Sequence, residues 1–400
     1  MKDFAAIKQK CDETSAVASK VIDEFLMYYA ASRNNLAKKM EQDFSKYRHI
    51  TRSFPEELTN RLKAQYIVQK IFKKDGLIHN FLGHKELRQL SDSQLSFLRF
   101  QAEHPWKFSF SVIIDNPADN FYKMEDVFTS EEYLLYSPGI TSTLKDMNPL
   151  LWFNTISFNG DCWQSYGVIA SYQSFGPDDI FFFATELNPD IEDEDTLLEH
   201  VEYDPLPYMM LISGSRMPVL VHNEDLLVHN VAEYEPGSFD PGKFSTDFNS
   251  EYKKGVYEFL LKGWEGAPHH STVYYDENNN SLVLSAMTDK GFDALAGKLK
   301  ELGFDISSEP FIRVGLTMLS VASDILKRKL TLMPYEDLFK KNSAPGEKEN
   351  LDKINKVISL IIPELNAGRQ PDAEKLAALT GTDLTTVNDL IEHLTKKRNG

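Results

Sequence analysis

The sequence predicts an α+β protein: a helical N-terminal domain, an antiparallel β-rich middle (barrel or sandwich), an α/β segment and a helical C-terminal module. Three observations predict it. Over the first hundred residues, apolar side chains recur at three- and four-residue steps, the period of a helix face. At Phe108 the period changes to two, the period of a strand. Beyond it, short apolar runs are separated by turns rich in Asn, Pro and Gly, the spacing of an antiparallel barrel or sandwich.

The elements follow in order. Phe4, Ile7, Cys11, Ala18, Val21, Phe25 and Tyr28 form one stripe, and Leu36, Met40, Phe44 and Tyr47 resume it, so 3–48 reads as helix. A second helix starts after Ser53 with Pro55 near its first turn, and Gly76 stops it. Ser91-x-x-Gln94 has the form of a capping box and opens a third helix to Glu103, which Pro105 ends. Strands are expected at 108–114, 121–128, 133–136, 150–158, 166–172 and 180–184. An acidic connection at 186–207 follows, then strands at 208–213, 217–221 and 225–234. Ser271–Tyr275 and Ser281–Met287 flank an Asp/Asn-rich turn and read as a hairpin. Thr288 caps a helix that closes at Gly303, and 310–330 reads as one long helix.

Four hundred residues exceed one ordinary core, and about two or three domains are expected. The boundaries read as 1–104 (helical), 105–235 (β-rich), 236–341 (α/β), a linker at 342–350 and a helical module at 351–400. Charge is distributed unequally. Residues 1–104 carry 18 Lys/Arg and 13 Asp/Glu, and residues 351–400 carry 7 of each. Residues 105–350 hold 18 basic and 40 acidic residues. That middle disfavours nucleic acid or an anionic membrane as its partner. No apolar run is long enough to span a bilayer, and no secretory leader is read at the N-terminus, so a cytoplasmic setting is expected.

In the C-terminal module, helices are expected at Leu351–Ile362, from Pro371-Asp372 to Gly381, and over Leu384–Lys397. The spacing of Ala377, Gly381 and Val387 within 371–397 resembles a helix-turn-helix, which needs a small residue, a turn glycine and a β-branched anchor. The resemblance implies a DNA-reading helix that presents Thr385, Thr386, Asn388, Lys396, Lys397 and Arg398. Asp389 and Glu392 lie among them, and the basic residues come only at the far end. A groove reader neutralises several phosphates, so packing or dimerisation is the favoured reading.

The stretch 33–74 holds eleven Lys/Arg against four acids. Lys38, Lys39, Lys46, Arg48, Arg52, Lys70, Lys73 and Lys74 are expected to form a basic surface, interleaved with Tyr47, Tyr66 and Phe72. The aromatics sit at core spacing, and the acidic middle of the same chain is a natural occupant of that face. Gly160-Asp161-Cys162-Trp163 resembles the sequence around the nucleophile of papain-like cysteine proteases. The resemblance implies Cys162 as nucleophile, with a base among His222, His229, His269 and His270. The segment reads as strand rather than helix start and other family elements are missing, so Cys162 is expected to be a buried structural thiol. With Cys11 it makes two cysteines 151 positions apart, too few for a disulfide scaffold.

His79 and His84, or the adjacent pair His269-His270, lack metal-ligand spacing, and no metal site is expected. Nor is a cofactor, because no glycine-rich phosphate cradle occurs. The sequence therefore predicts a non-enzymatic cytoplasmic binding or regulatory protein that acts through a protein partner or as a homo-oligomer. The alternatives are a DNA-associated regulator using the C-terminal helix pair, and an enzyme whose site is assembled only in the fold.

Overall fold

The computed structural model describes residues 3–26, 29, 35–332, 335–339, 353, 354, 356–358, 360, 361, 364, 365 and 369–399. They belong to two units, Met1–Pro334 and Tyr335–Gly400. The linker expected at 342–350 lies outside the described residues, as does the polar stretch 32–34. So do residues 351, 352, 355, 359 and 362 of the helix expected at Leu351–Ile362.

The first unit begins with helices α1 (Phe4–Val21), α2 (Leu36–Lys46), α3 (Glu56–Phe72) and α4 (Asp92–Glu103). Their starts obey local chemistry. Asp3 accepts from the amides of Ala5 and Ala6 at α1. Pro55 precedes α3, whose first turn carries Glu56 and Glu57 against the helix dipole. Ser91 and Gln94 form the expected capping box. Gly76 follows α3 where a Cβ would lie 2.4 Å from the Ile71 carbonyl oxygen, so only glycine fits that turn.

Strands β1 (Lys107–Ala118), β2 (Phe121–Asp126), β3 (Glu132–Tyr136), β4 (Leu151–Phe158) and β5 (Trp163–Tyr172) close into a barrel in the order β1-β2-β3-β5-β4. All neighbours are antiparallel except β3 and β5, which are parallel. The inner face takes residues from all five strands: Ile113, Met124, Tyr133, Trp152 and Ile169 belong to one buried cluster. Helix α5 (Pro138–Thr143) adds Ile140 to it. The alternate residues, among them Phe108, Phe110, Phe153 and Ala170, join the core of the N-terminal helices. The expected boundary at 104/105 thus marks a change from helix to strand, and side chains on both sides of it share one core.

After the barrel come α6 (Pro177–Leu187), α7 (Glu194–Tyr203) and α8 (Leu206–Met210). These correct two expectations, a strand at 180–184 and a strand at 208–213, and the acidic connection expected at 186–207 contains α7. Pro177 occupies the first turn of α6, and the Asp179 carboxylate accepts from the Gly176 amide. Those start signals outweigh the strand preference of the Phe run. Asp193 caps α7 through the Thr196 amide in the same way. The strand expected at 217–221 reduces to β6 (Val221–His222), paired with β7 (Asp225–Leu226).

A second sheet has six antiparallel strands in the order β13-β8-β12-β11-β10-β9. They are β8 (Val228–Tyr234), β9 (Phe248–Lys253), β10 (Val256–Leu261), β11 (Thr272–Asp276), β12 (Ser281–Ala286) and β13 (Ile312–Gly315). The expected hairpin is β11–β12. Helix α9 (Asp289–Glu301), capped by Thr288 through the Gly291 amide, packs Phe292, Leu295 and Leu299 with Phe259 and Leu284 of the sheet. The long helix expected at 310–330 is instead β13 followed by α10 (Leu316–Leu326). Met318, Val321 and Ile325 of α10 return to the core shared by the N-terminal helices and the barrel.

The second unit contains α11 (Ala373–Thr380) and α12 (Leu384–Asn399) around a small core of Val357, Ile361, Leu376 and Val387. Gly381 closes α11 at φ +66, and Asp383 accepts from the Thr386 amide at the start of α12.

Candidate ligand cleft beside an edge strand

The residues singled out from the sequence do not converge. Thr385 and Asn388 are exposed on α12 with Asp389 and Glu392, while Thr386 is half-buried. The side chains of Lys396, Lys397 and Arg398 lie outside the described residues. Of the basic set, Lys38, Lys39, Lys46, Arg48, Arg52 and Lys74 are exposed, whereas Lys70 and Lys73 are half-buried. Lys46 pairs with Asp43 at 2.8 Å. Lys70 donates to the Tyr203 carbonyl at 2.7 Å, and burial lowers its pKa to about 8. Its neighbour Gln69 donates to the carboxylate and carbonyl of Glu202. Part of the basic face is therefore covered by acidic α7 of the same chain.

Cys162 is buried and faces Cys11 rather than a histidine. His229 contacts the Ser285 hydroxyl, and His269 contacts the Thr288 hydroxyl. Among the described residues, no group of three or more His, Cys, Asp or Glu side chains is placed to hold a metal ion.

A concave site does form where the barrel side of the first unit meets β13. It is a cleft of about 760 Å³. One wall is the edge strand and its approach: Glu309, Pro310, Phe311, Ile312 and Arg313. The other is α6, which contributes Pro177, Asp178, Phe181, Phe182 and Thr185. Val127 and Phe128 from the β2–β3 turn and Glu194 of α7 complete the lining. Phe311 is 64% exposed and Ile312 36%, adjacent apolar side chains on one wall of the cleft. Phe311 rests on Tyr234 with ring centroids 5.2 Å apart.

A buried carboxylate fixes the two walls. Asp179 accepts from the Gly176 amide at 2.8 Å and from the Gly315 amide at 2.7 Å, so it ties the start of α6 to the end of β13. Burial raises its pKa to about 6, and the two amide hydrogen bonds oppose that rise. Arg313 is the basic member of the lining, and its guanidinium is held by Asp289 at 3.0 and 2.9 Å. Asp178, Glu194 and Glu309 therefore dominate the rim. A smaller adjoining recess of about 140 Å³ shares Pro177, Asp178 and Arg313 and includes Ser174, whose buried Oγ has no hydrogen-bond partner among the described residues.

An apolar floor with an acidic rim can hold a ligand that is both apolar and cationic. Sequence reasoning missed this site because Phe175-Gly176-Pro177 reads as a turn before a strand and Phe311 as one face of a helix. The open signal was Phe311 itself, followed by a β-branched residue and an arginine. No family model, curated protein or solved structure matches the chain.

Proposed function

We propose that this chain is a binding protein that captures an extended, basic and apolar segment of a partner protein in the cleft between β13 and α6. The observation that carries the proposal is an exposed Phe311–Ile312 pair on a sheet edge, facing a rim of Asp178, Glu194 and Glu309. An edge strand offers backbone groups to an added strand, here ahead of Gly315, whose amide Asp179 takes, and alternate side chains of the added strand find pockets. The acid rim favours Lys or Arg at the positions between. Protein is favoured over nucleic acid because the exposed start of α12 presents Asp383 and Asp389 beside Leu384 and Thr385. The proposal places the protein in the cytoplasm, where free thiols are the ordinary state of a cysteine pair.

Fluorescence anisotropy with a labelled peptide that alternates lysine with leucine or phenylalanine tests the reading. Binding is expected to weaken as salt rises and to vanish when glutamate replaces lysine. Phe311→Ala is expected to weaken it by roughly 10- to 30-fold with stability unchanged, since the ring is mostly exposed. Equal affinity of the lysine and glutamate peptides, or of wild type and Phe311→Ala, would remove the proposal.

A further inference from the structure

Two side chains far apart in sequence meet beneath α1. The Sγ atoms of Cys11 and Cys162 are 3.4 Å apart, and both residues are buried. The turn that delivers Cys162 is closely specified. The Asn159 side-chain oxygen accepts from the amides of Asp161 and Cys162, each at 3.0 Å, and Gly160 takes φ +99. The Asn159 amide group donates to the Cys11 sulfur at 3.3 Å. Gln164 then donates to the Cys11 carbonyl at 3.0 Å and to Ser15 at 3.1 Å. Outside this buried group, Lys10 pairs with Asp161 at 2.8 Å.

The two thiols share one contact in which either sulfur can donate, and the Asn159 amide group lies nearer to Cys11, at 3.3 Å, than to Cys162, at 3.7 Å, so it favours negative charge on Cys11 more. Those hydrogen bonds hold the Cys11 thiol below its ordinary range. The contact with Cys11, together with burial, pushes the Cys162 thiol up. One cysteine is thus prepared as the thiolate and the other as the proton-bearing partner beside it.

We propose that Cys11 and Cys162 form a peroxide-oxidised clasp that fastens α1 to the barrel. When α1 opens locally and admits hydrogen peroxide to the buried pair, the Cys11 thiolate attacks one of its oxygens, an S–O bond forms, and the O–O bond breaks to release hydroxide. The Cys162 sulfur then attacks Cys11 Sγ. An S–S bond forms, the S–O bond breaks, and the hydroxyl leaves as water with the Cys162 proton. Two thiols are oxidised by two electrons, and one peroxide is reduced to two waters in all. The sulfurs close from 3.4 Å to about 2.05 Å, a short path because they are already in contact. While the thiols stay reduced, α1 is held only by non-covalent contacts such as Phe4 on Phe121 and the Tyr136 hydroxyl on Asp12. Oxidation makes that docking permanent.

The experiment treats the full chain with hydrogen peroxide, then alkylates it under denaturing conditions and weighs it. The expected product is a monomer whose Cys11 and Cys162 peptides carry no alkyl group and no oxygen on sulfur and are joined, with a loss of about 2 Da between them, until reductant is added. Its thermal midpoint is expected to rise by roughly 3–7 °C over the reduced chain. In Cys162→Ser the sulfenic acid on Cys11 has no partner and should be trapped by dimedone, whereas Cys11→Ser should trap none. Two cysteines that both remain alkylatable, that gain oxygen separately, or that join two chains would overturn the proposal. The wild-type Cys11 and Cys162 peptides alone decide this, so the test survives a variant that fails to fold.

Discussion

Replacing Trp152 with alanine is expected to destabilise the first unit by about 3–5 kcal/mol, the cost of removing a large aromatic side chain from a filled core. Trp152 is 1% exposed and lies among Tyr122, Met124, Tyr133, Leu135 and Ile156 inside the barrel. Five strands leave no room for neighbours to slide into the space, so the cavity term is expected to persist. Leu150, two positions away and 55% exposed, supplies the contrast. Its alanine variant is expected to stay within about 0.5 kcal/mol of wild type. Urea denaturation of both variants is the measurement. A loss below about 1 kcal/mol for Trp152→Ala would mean that the indole does not fill the interior of a closed barrel.

The second large effect is a pH dependence that belongs to Asp179. Its carboxyl pKa is about 6 in the fold against 3.8 for an ordinary aspartate. Between those values the folded chain binds more protons at this residue than the unfolded chain does. Stability from this group is therefore full below pH 4 and is lost as pH rises through 6. The loss is about 3 kcal/mol, because each tenfold difference in proton affinity between the folded and unfolded chain is worth about 1.4 kcal/mol. Asp179→Asn cannot ionise, and its carbonyl oxygen keeps one of the two amide bonds. The difference in stability between wild type and this variant, followed by urea denaturation from pH 4 to 7, is expected to move by about that amount in favour of the variant. Other titrating groups cancel in the difference. Parallel curves would show that Asp179 is not the buried carboxylate that joins α6 to β13.

Helix starts signalled by a side chain were legible in the sequence. Ser91 with Gln94, and Thr288 with Gly291, satisfy amides that a helix start leaves unpaired, and the fold uses both. The hairpin around 276–280 was legible for the same local reason. The run Ile180-Phe181-Phe182-Phe183-Ala184 was not. A helix covered on several sides is apolar nearly all round and shows no period, so only the preceding Gly-Pro-Asp-Asp distinguishes it from a buried strand. At 310–330 the period itself misleads. Phe311 and Val314 are three apart, as on a helix face, but on extended chain that spacing puts them on opposite sides. One is 64% exposed and the other fully buried. The cleft was illegible as a unit because its walls come from residues 127–128, 177–194 and 309–313. The thiol pair was hidden in the same way, since only the packing of α1 on the barrel brings Cys11 to Cys162.

The return of α10 to the first core has a kinetic consequence. The six-stranded sheet lies between the barrel and α10 in the chain, yet α10 seals the layer in which Phe175 and Leu211 are buried. The fit there is close: a Cβ on Gly214 would lie 2.6 Å from the Phe175 ring and 2.9 Å from Val321. A nascent chain that has completed the barrel but not yet released residues 316–326 leaves that layer open to water. Contacts of such long sequence separation form late, and the apolar surface they cover is prone to aggregate meanwhile. Growth of this chain is thus expected to pass through an interval in which an almost finished fold depends on chaperones, ended by one eleven-residue helix.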